Sequence, residues 1–559
     1  LLALLILAAG IELGSRVIER LENLAARRKN PYVEAVNPVP AFEVVELEGR
    51  KMVRRTGFQP MMVPQPPFPL ERPRGGLRVF ILGASAAAGW PYQLGDTNIR
   101  ALLETKLRKL YPGRPIEVIS MAAGTYGSHR VKLILEEALR YNPDVLFLYN
   151  GNNEFLENLV FRPRNPPPPW DRSAAARLSY RVFVTLTTPL PRFDVKNYGF
   201  DDQVSNHLSF AFSQASRYRE DPRQFQLLLD HYRFNIDAMV TSAGEAKVPI
   251  FLLTCPVNLR DWSPNVSRHR EGLGVTAKAR WTALFRDGLL AVERGDFAAA
   301  VAPLRGAIGL DDEYAEAHFR LAEALRRTGH RIEAKAEYVR ALERDAFPFR
   351  ELPEFQRVLR EIAARRDVPL VDIIPPLEAV AEDGIAGYDV LVDYVHLTEQ
   401  SQEIAAHEMV RALEERGLLP GISDADVERT RVAIQKRFWP ARDVYAVDVT
   451  YTSALIMHQY DRLDALYAEL VEVLTRAPRE DPSLAAHCQE RLLTFHQVQA
   501  IAVAYRDLVR AEKLGELRET FTPEQAQRIY GAYVGMIQQT HAASLSREEF
   551  LKKLPVVPY

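Results

Sequence analysis

At 559 residues the chain has room for several domains. Its hydrophobic content of 47% and charged content of 26% are those of a globular protein, and a net charge of −2 gives no sign of the basic face that nucleic-acid binding needs, so no nucleic-acid partner is expected. Two cysteines, Cys255 in an apolar strand-like run and Cys488 in a helical one, argue against a disulfide framework or a thiolate metal site.

The opening 14 residues, LLALLILAAGIELG, are too few to span a bilayer, which needs about 20. No Met precedes them, so the numbered chain is expected to start inside a longer one, with these residues as the end of a membrane helix. The alternatives are the apolar core of a signal peptide or a buried soluble helix. The amphipathic SRVIERLENLAARRKNPY follows, and its arginines favour a cytoplasmic side, although the other flank needed to read orientation is absent. FEVVELEGRKMVRR (42–55) predicts a hairpin turning at Glu48-Gly49. Proline-rich stretches at 59–73 and 162–171 read as extended spacers. From residue 77 short apolar runs alternate with amphipathic helical stretches. The predicted strands are 77–83, 116–121, 144–149, 248–254 and 368–373, which indicates a parallel sheet covered by helices on both faces.

Between the fourth and fifth strands, residues 281–314 and 315–348 align with a 34-residue period: Gly295 falls on Gly329, Ala300 on Ala334 and Ala307 on Ala341. The pattern resembles the tetratricopeptide repeat, whose small residues let antiparallel helices pack closely; the plain alternative is an alanine-rich helical hairpin. Two repeats are too few for a free-standing solenoid, so these helices are expected to lie outside the α/β core and to engage protein, either the chain's own tail or a partner. Beyond about residue 420 the spacing is helical and carries no catalytic motif.

In an open parallel sheet, ligands bind outside the carboxyl ends of the strands. Ser85 follows the first strand, AAGTYGS with Gly124 the second, NGNNEF with Asn153 the third, and DYVH with Asp393 and His396 the fifth. A serine hydroxyl needs a base, and His396 is suited to take its proton. Asp393, three residues earlier, is placed to fix the imidazole tautomer. The backbone N–H groups of Ser85 and Gly124 and the Asn153 amide are suitable oxyanion donors. After the fourth strand, Arg260 and Asp261 in CPVNLRDW either bind a polar substrate group or pair with each other at the surface. The 12 histidines show no close pairing at ligand spacing and this chemistry needs no metal, so neither metal nor cofactor is expected.

These blocks resemble the SGNH (GDSL-type) hydrolase superfamily, over roughly residues 40 to 415. The blocks are ILGASAAAGWPY, VISMAAGTYGSHRV, LYNGNNEFLEN and DYVHLTEQSQEIAAHEMV. FLLTCPVNLRDWSPN and the repeats look like a membrane-anchored subgroup with inserted tetratricopeptide repeats. The resemblance implies an α/β fold, a flavodoxin-like three-layer sandwich with helical hairpins inserted and a helical C-terminal region added. It implies Ser85, His396 and Asp393 as the triad, with Ser85, Gly124 and Asn153 as the oxyanion hole. The sequence departs from the family pattern at Ala84 (usually an acid), Ser120 (usually Asn) and Glu154 (usually Asp). On this reading 1–30 is an anchor and juxtamembrane helix, and 31–76 the hairpin and connector. The hydrolase domain comprises 77–280 and 349–415 around the insertion at 281–348, and 416–559 is the helical C-terminal region. The expected function is an esterase removing acyl groups from an O-acylated carbohydrate or lipid at a membrane, in the bacterial cell envelope with the bulk of the chain outside the cytoplasm. The alternatives are an O-acyltransferase using the same site, and a subunit of a membrane protein complex with a vestigial hydrolase fold. Protein partners or self-association are expected through the repeats and the C-terminal helices.

Overall fold

The computed structural model describes residues 7–18, 41–56, 62–63, 66–93, 95–156, 173–175, 179, 222–435, 437–456, 459 and 462–513. Of the expected anchor, residues 7–18 are helical and the rest of 1–30 lies outside the described residues. Among the described residues no helix is long and apolar enough to cross a membrane. The proline-rich stretch at 162–171 and the tail beyond residue 513 also lie outside them.

The hairpin forms from β1 (Phe42–Leu47) and β2 (Arg50–Arg55), paired antiparallel. Glu48 and Gly49 both have positive φ, 51° and 73°, the turn geometry whose twist matches that of paired strands. The stretch 59–73, expected as a spacer, instead supplies a third strand, β3 (Phe68–Pro69), paired with β2. The reason is burial. Phe68 is 5% exposed and meets Phe42, Phe80 and Tyr141 edge-on, while the buried Arg78 guanidinium donates to Pro69 O at 2.7 Å. Proline is tolerated there because β3 is an edge strand and need not donate.

The main sheet contains β4 (Leu77–Gly83), β5 (Ile116–Ser120), β6 (Val145–Tyr149), β7 (Ile250–Leu253) and β8 (Leu370–Val371). All neighbours are parallel, in the order β5-β4-β6-β7-β8. Counted from its own first strand this is 2-1-3-4-5, the flavodoxin-like order, whose switch point lies between β4 and β6. Right-handed crossovers then dictate the layers. The step from β4 to β5 runs one way along the sheet and all later steps run the other, so their helices take opposite faces. Accordingly Ile99–Leu110 packs with Glu399–Glu415, while Ser128–Ala138 and Pro353–Arg366 each pack with Pro222–Glu245. Every residue of β4 is buried, as a central strand covered on both sides requires.

Residues 275–344 form two helical hairpins, Val275–Glu293 with Phe297–Leu310 and Ala315–Arg327 with Arg331–Arg344. The aligned glycines have the same local task. Gly295 (φ 75°) and Gly329 (φ 87°) each end the first helix of a hairpin. The next residues, Asp296 and His330, donate back to Ala291 O and Leu325 O, five residues earlier, while the glycines donate to Val292 O and Arg326 O. This is the left-handed C-terminal cap that glycine adopts without a steric cost. The hairpins are not detached from the sheet. Trp281, Phe285, Leu304, Phe319 and Tyr338 belong to the same contiguous buried cluster as Phe80, Phe147 and Phe251. Where the insertion returns, buried Asp345 accepts from the N–H groups of Asn265, Val266 and Phe347 at 2.9–3.0 Å and lies 3.5 Å from the buried Arg350 guanidinium.

The tail builds a second buried cluster from Pro440–Ile456, Leu463–Glu480 and Ala485–Lys513, centred on Tyr451, Leu470, Leu474 and Phe495. Its last helix reaches the inserted hairpins through Arg510–Glu293 at 2.7 Å and Lys513–Glu316 at 2.6 Å.

Candidate active site

Ser85 stands two residues beyond β4. Gly83 has φ 149°, and a Cβ there would lie 2.0 Å from Tyr149 O, so only glycine allows β4 to end this close to β6. The chain then coils tightly: Ala88 N–H donates to Ala84 O at 3.0 Å and Trp90 N–H to Ser85 O at 3.1 Å. Small residues make this possible, since Ala84, Ala86, Ala87 and Ala88 are all buried against the sheet end.

His396 lies 311 positions further on, with its Nε2 at 2.7 Å from Ser85 Oγ and its Nδ1 at 2.6 Å from Asp393 Oδ2. The other carboxylate oxygen, Oδ1, already accepts the N–H groups of Val395 and His396, both at 2.9 Å. An ionised carboxylate only accepts, so in the neutral imidazole Nδ1 carries the hydrogen and Nε2 is left as acceptor for the serine hydroxyl. The loop itself is fixed by Val392 N–H to His396 O at 2.8 Å, and by Asn258, whose amide donates to Asp393 O at 3.1 Å. Ser85, Asp393 and His396 are 8%, 2% and 4% exposed, so the group is shielded from bulk water.

The proposed oxyanion donors occupy the two neighbouring loops. Backbone pairing continues past β5, with Met121 N–H to Ile81 O and Ala123 N–H to Gly83 O, which brings buried Gly124 beside the end of β4. Met62 and Val63 of the connector bridge to Ala123 and Ala122 on the same loop. Asn153 is 2% exposed and donates to Tyr126 O at 3.3 Å, so its amide faces the Gly124–Gly127 turn. Glu154, where the family resemblance implies Asp, has a structural task. It accepts from Ser128 N–H at 2.7 Å, Ser128 Oγ at 2.7 Å and the Asn150 amide at 3.0 Å. That places a carboxylate at the N-terminus of Ser128–Ala138, where the helix dipole favours it, and ties the asparagine loop to the glycine loop.

Arg260 and Asp261 pair with each other, with Arg260 buried at 6% exposed rather than lying at the surface. The Arg260 guanidinium donates to Asp261 at 2.8–3.1 Å, to Asp389 Oδ2 at 3.1 Å and to Glu382 O at 3.1 Å. Asp261 in turn accepts from Tyr388 N–H at 2.8 Å. The pair ties the 258–262 loop to the loop that leads to Asp393.

Sequence reasoning did not find Asn258, Trp90 or Tyr445 at the site. The Trp90 ring lies 6.3 Å from the His396 ring, and Tyr445 of Pro440–Ile456 meets Trp90 edge-on at 5.5 Å. Trp90 sits inside the first block and could have been singled out as the large aromatic that directly follows the seven small residues 83–89. No pattern marks the other two.

No family model and no curated protein matches the chain. Among solved structures it is similar to an α/β hydrolase from the metagenome of Lake Arreo, Spain, at 12% identity and TM-score 0.28, covering 61% of this chain and 96% of that chain. It is similar to a GDSL-like lipase from Bacteroides thetaiotaomicron at 12% identity and TM-score 0.27, covering 62% of this chain and 91% of that one. A variant of an acetyl xylan esterase from Geobacillus stearothermophilus aligns at 13% identity and TM-score 0.28, covering 61% and 95%. These likenesses are distant, and the functional reading rests on the geometry of the site.

Proposed function

We propose that the chain is a serine ester hydrolase of SGNH type that removes small acyl groups from an O-acylated carbohydrate or lipid. The observation that carries this reading is the unbroken line from Ser85 Oγ through His396 to Asp393, at 2.7 and 2.6 Å. Ser85 Oγ attacks the ester carbonyl carbon and its proton passes to His396 Nε2, while Asp393 stabilises the imidazolium. The negative oxygen of the tetrahedral intermediate is received by the N–H groups of Ser85 and Gly124 and by the Asn153 amide. Collapse breaks the bond to the alcohol, which leaves with the proton from Nε2. Water then enters, gives a proton to Nε2 and attacks the acyl-enzyme, and the acid departs as Ser85 recovers its hydrogen.

Labelling with a fluorophosphonate followed by peptide mapping tests the nucleophile: the expected adduct is on Ser85 and is absent from Ser85→Ala. Ester turnover in Ser85→Ala should fall by about 10⁴-fold. Equal turnover in the two proteins would overturn the reading. We extend the proposal to location, with the apolar opening residues holding the protein at a membrane. Recovery of the full chain in carbonate-washed membranes supports this, and recovery in the wash refutes it.

A further inference from the structure

In the mechanism above, His396 Nε2 must hand its proton to the departing alkoxide, so the alcohol half of the ester has to lie within hydrogen-bond reach of the imidazole. The side chains that flank this ring therefore border the alcohol. Two aromatic rings do so. Tyr394 lies 5.5 Å from the His396 ring and is buried, 8% exposed, packed against Trp262 and Phe349 on the inner side. Trp90 lies 6.3 Å away and is half-buried, so it is the flanking ring that reaches solvent.

Trp90 does not stand alone. Tyr445 meets it edge-on at 5.5 Å, and the Tyr445 hydroxyl accepts from Gln93 Nε2 at 3.0 Å. The helix that carries Tyr445 is pinned close to the triad. Arg442, with a side chain 5% exposed, donates to Glu399 Oε1 at 2.8 Å, and Glu399 opens the helix that begins three residues after His396. The same carboxylate accepts from Thr97 Oγ1 at 2.6 Å, on the segment following Trp90. The far end of the tail segment is held as well: Gln459 accepts from Ser263 N–H and Oγ at 3.1 Å, and the Arg462 guanidinium lies 3.3 Å from the Tyr388 ring centroid. The helix Pro440–Ile456 thus contacts the loop after β4, and Gln459 and Arg462 contact the loops around Asp261 and Tyr388.

We propose that Trp90, braced by Tyr445, is the leaving-group subsite, and that it selects a ring-shaped alcohol, the apolar face of a carbohydrate ring, over a flexible alkyl chain. This rests on the ester-hydrolase reading and narrows its two substrate classes to one. A fixed aromatic surface recognises a rigid ring at little entropic cost, whereas an alkyl alcohol must freeze its torsions to gain the same contact. The C-terminal region, which carries no catalytic motif, acquires its role as the outer wall of the site.

The test holds the acyl group constant and changes the alcohol. The ratio of kcat/KM for a mono-acetylated xylose over that for hexyl acetate is measured for the full chain, Tyr445→Ala, Tyr445→Phe and Trp90→Ala. The expected ratio exceeds 1 in the wild type and falls about tenfold in Tyr445→Ala and in Trp90→Ala. Tyr445→Phe, which keeps the ring and loses only the Gln93 hydrogen bond, is expected to stay nearer the wild type and guards against a variant that fails to fold. A ratio unchanged across all variants overturns the proposal, as does a wild type that prefers the alkyl ester. Fluorophosphonate labelling separates the two levels: an unlabelled Ser85 removes the hydrolase reading, whereas a labelled Ser85 with an unchanged ratio removes this inference alone.

Discussion

Asn153 and His231 illustrate how the same degree of burial serves opposite ends. Asn153 is 2% exposed, and its amide donates to Tyr126 O over a long 3.3 Å. A donor held in place without a strong partner costs little to redirect to an oxyanion, which is what a pre-organised site needs. Asn153→Ala is therefore expected to lower kcat by about 10²–10³-fold with KM little changed, less than the loss in Ser85→Ala. Steady-state kinetics on a small activated ester decide this, and a KM effect alone would count against an oxyanion role. His231, also 2% exposed and beside the His129 ring, has no such task. Burial pushes its imidazole down to about 3, with His129 and Lys132 adding repulsion. A depressed native value means that the unfolded state binds the proton first, so stability is full above pH 6.5 and is lost as pH falls from there toward about 3. The slope is about 1.4 kcal/mol per pH unit. Thermal melts from pH 7 to pH 4 should fall more steeply for the wild type than for His231→Phe, and parallel curves would refute this.

At the scale of an element, the inserted hairpins are held by close approach as much as by large side chains. A Cβ on Gly288 would lie 2.5 Å from Leu304 Cγ, and Leu304 is fully buried. Two effects oppose each other in Gly288→Ala: helix propensity gains about 1 kcal/mol, and overpacking costs about 1–3 kcal/mol. The clash should win, because Leu304 has no exposed side toward which to move. Gly309, in Phe297–Leu310, has nothing within 4 Å of the position a Cβ would take, so Gly309→Ala keeps only the propensity gain. The expected outcome is a lower melting temperature for Gly288→Ala and a higher one for Gly309→Ala. Two shifts of the same sign would show that packing does not set the hairpin geometry.

For the whole molecule, the continuity of the core decides what can be removed. Helices outside the α/β core would be dispensable, yet the buried cluster runs from the sheet into the hairpins. Deleting residues 281–348 would also remove Asp345, leaving Asn265 and Val266 N–H without their acceptor and the Arg350 charge, 1% exposed, without its counter-ion. Breaking a buried pair from one side costs about 3–5 kcal/mol. Arg350 also donates to Asn258 O and Trp262 O, so the damage reaches the loop that holds Asp393. The deletion is expected to give little soluble protein, whereas Asp345→Asn in the full chain should fold with a lowered melting temperature. A deletion variant that melts with the wild type would show the hairpins to be independent.

Much of the fold and part of the site were legible in one dimension. The central strands β6 and β7 are continuous apolar runs within the predicted extent, and β4 departs from one only at Arg78, because a strand covered on both faces is mostly apolar. Parallel pairing then leaves the segments after all these strands on one edge, so the order along the chain was enough to place Ser85 and His396 at the same edge, where they meet. Asp393 and His396 are close in sequence, and their hydrogen bond is a local matter. What only the tertiary structure decided depends on contacts between distant residues that follow no period. The bonds from Arg260 to Glu382 O and Asp389, 122 and 129 positions away, follow no spacing. The stretch 59–73 read as a spacer until Phe68 found Phe42, Phe80 and Tyr141. Gln93 and Tyr445, 352 positions apart, share a hydrogen bond that no spacing announces. Periodicity records which face of an element is buried, but not which partner buries it, and the wall beside His396 is made wholly of such partners.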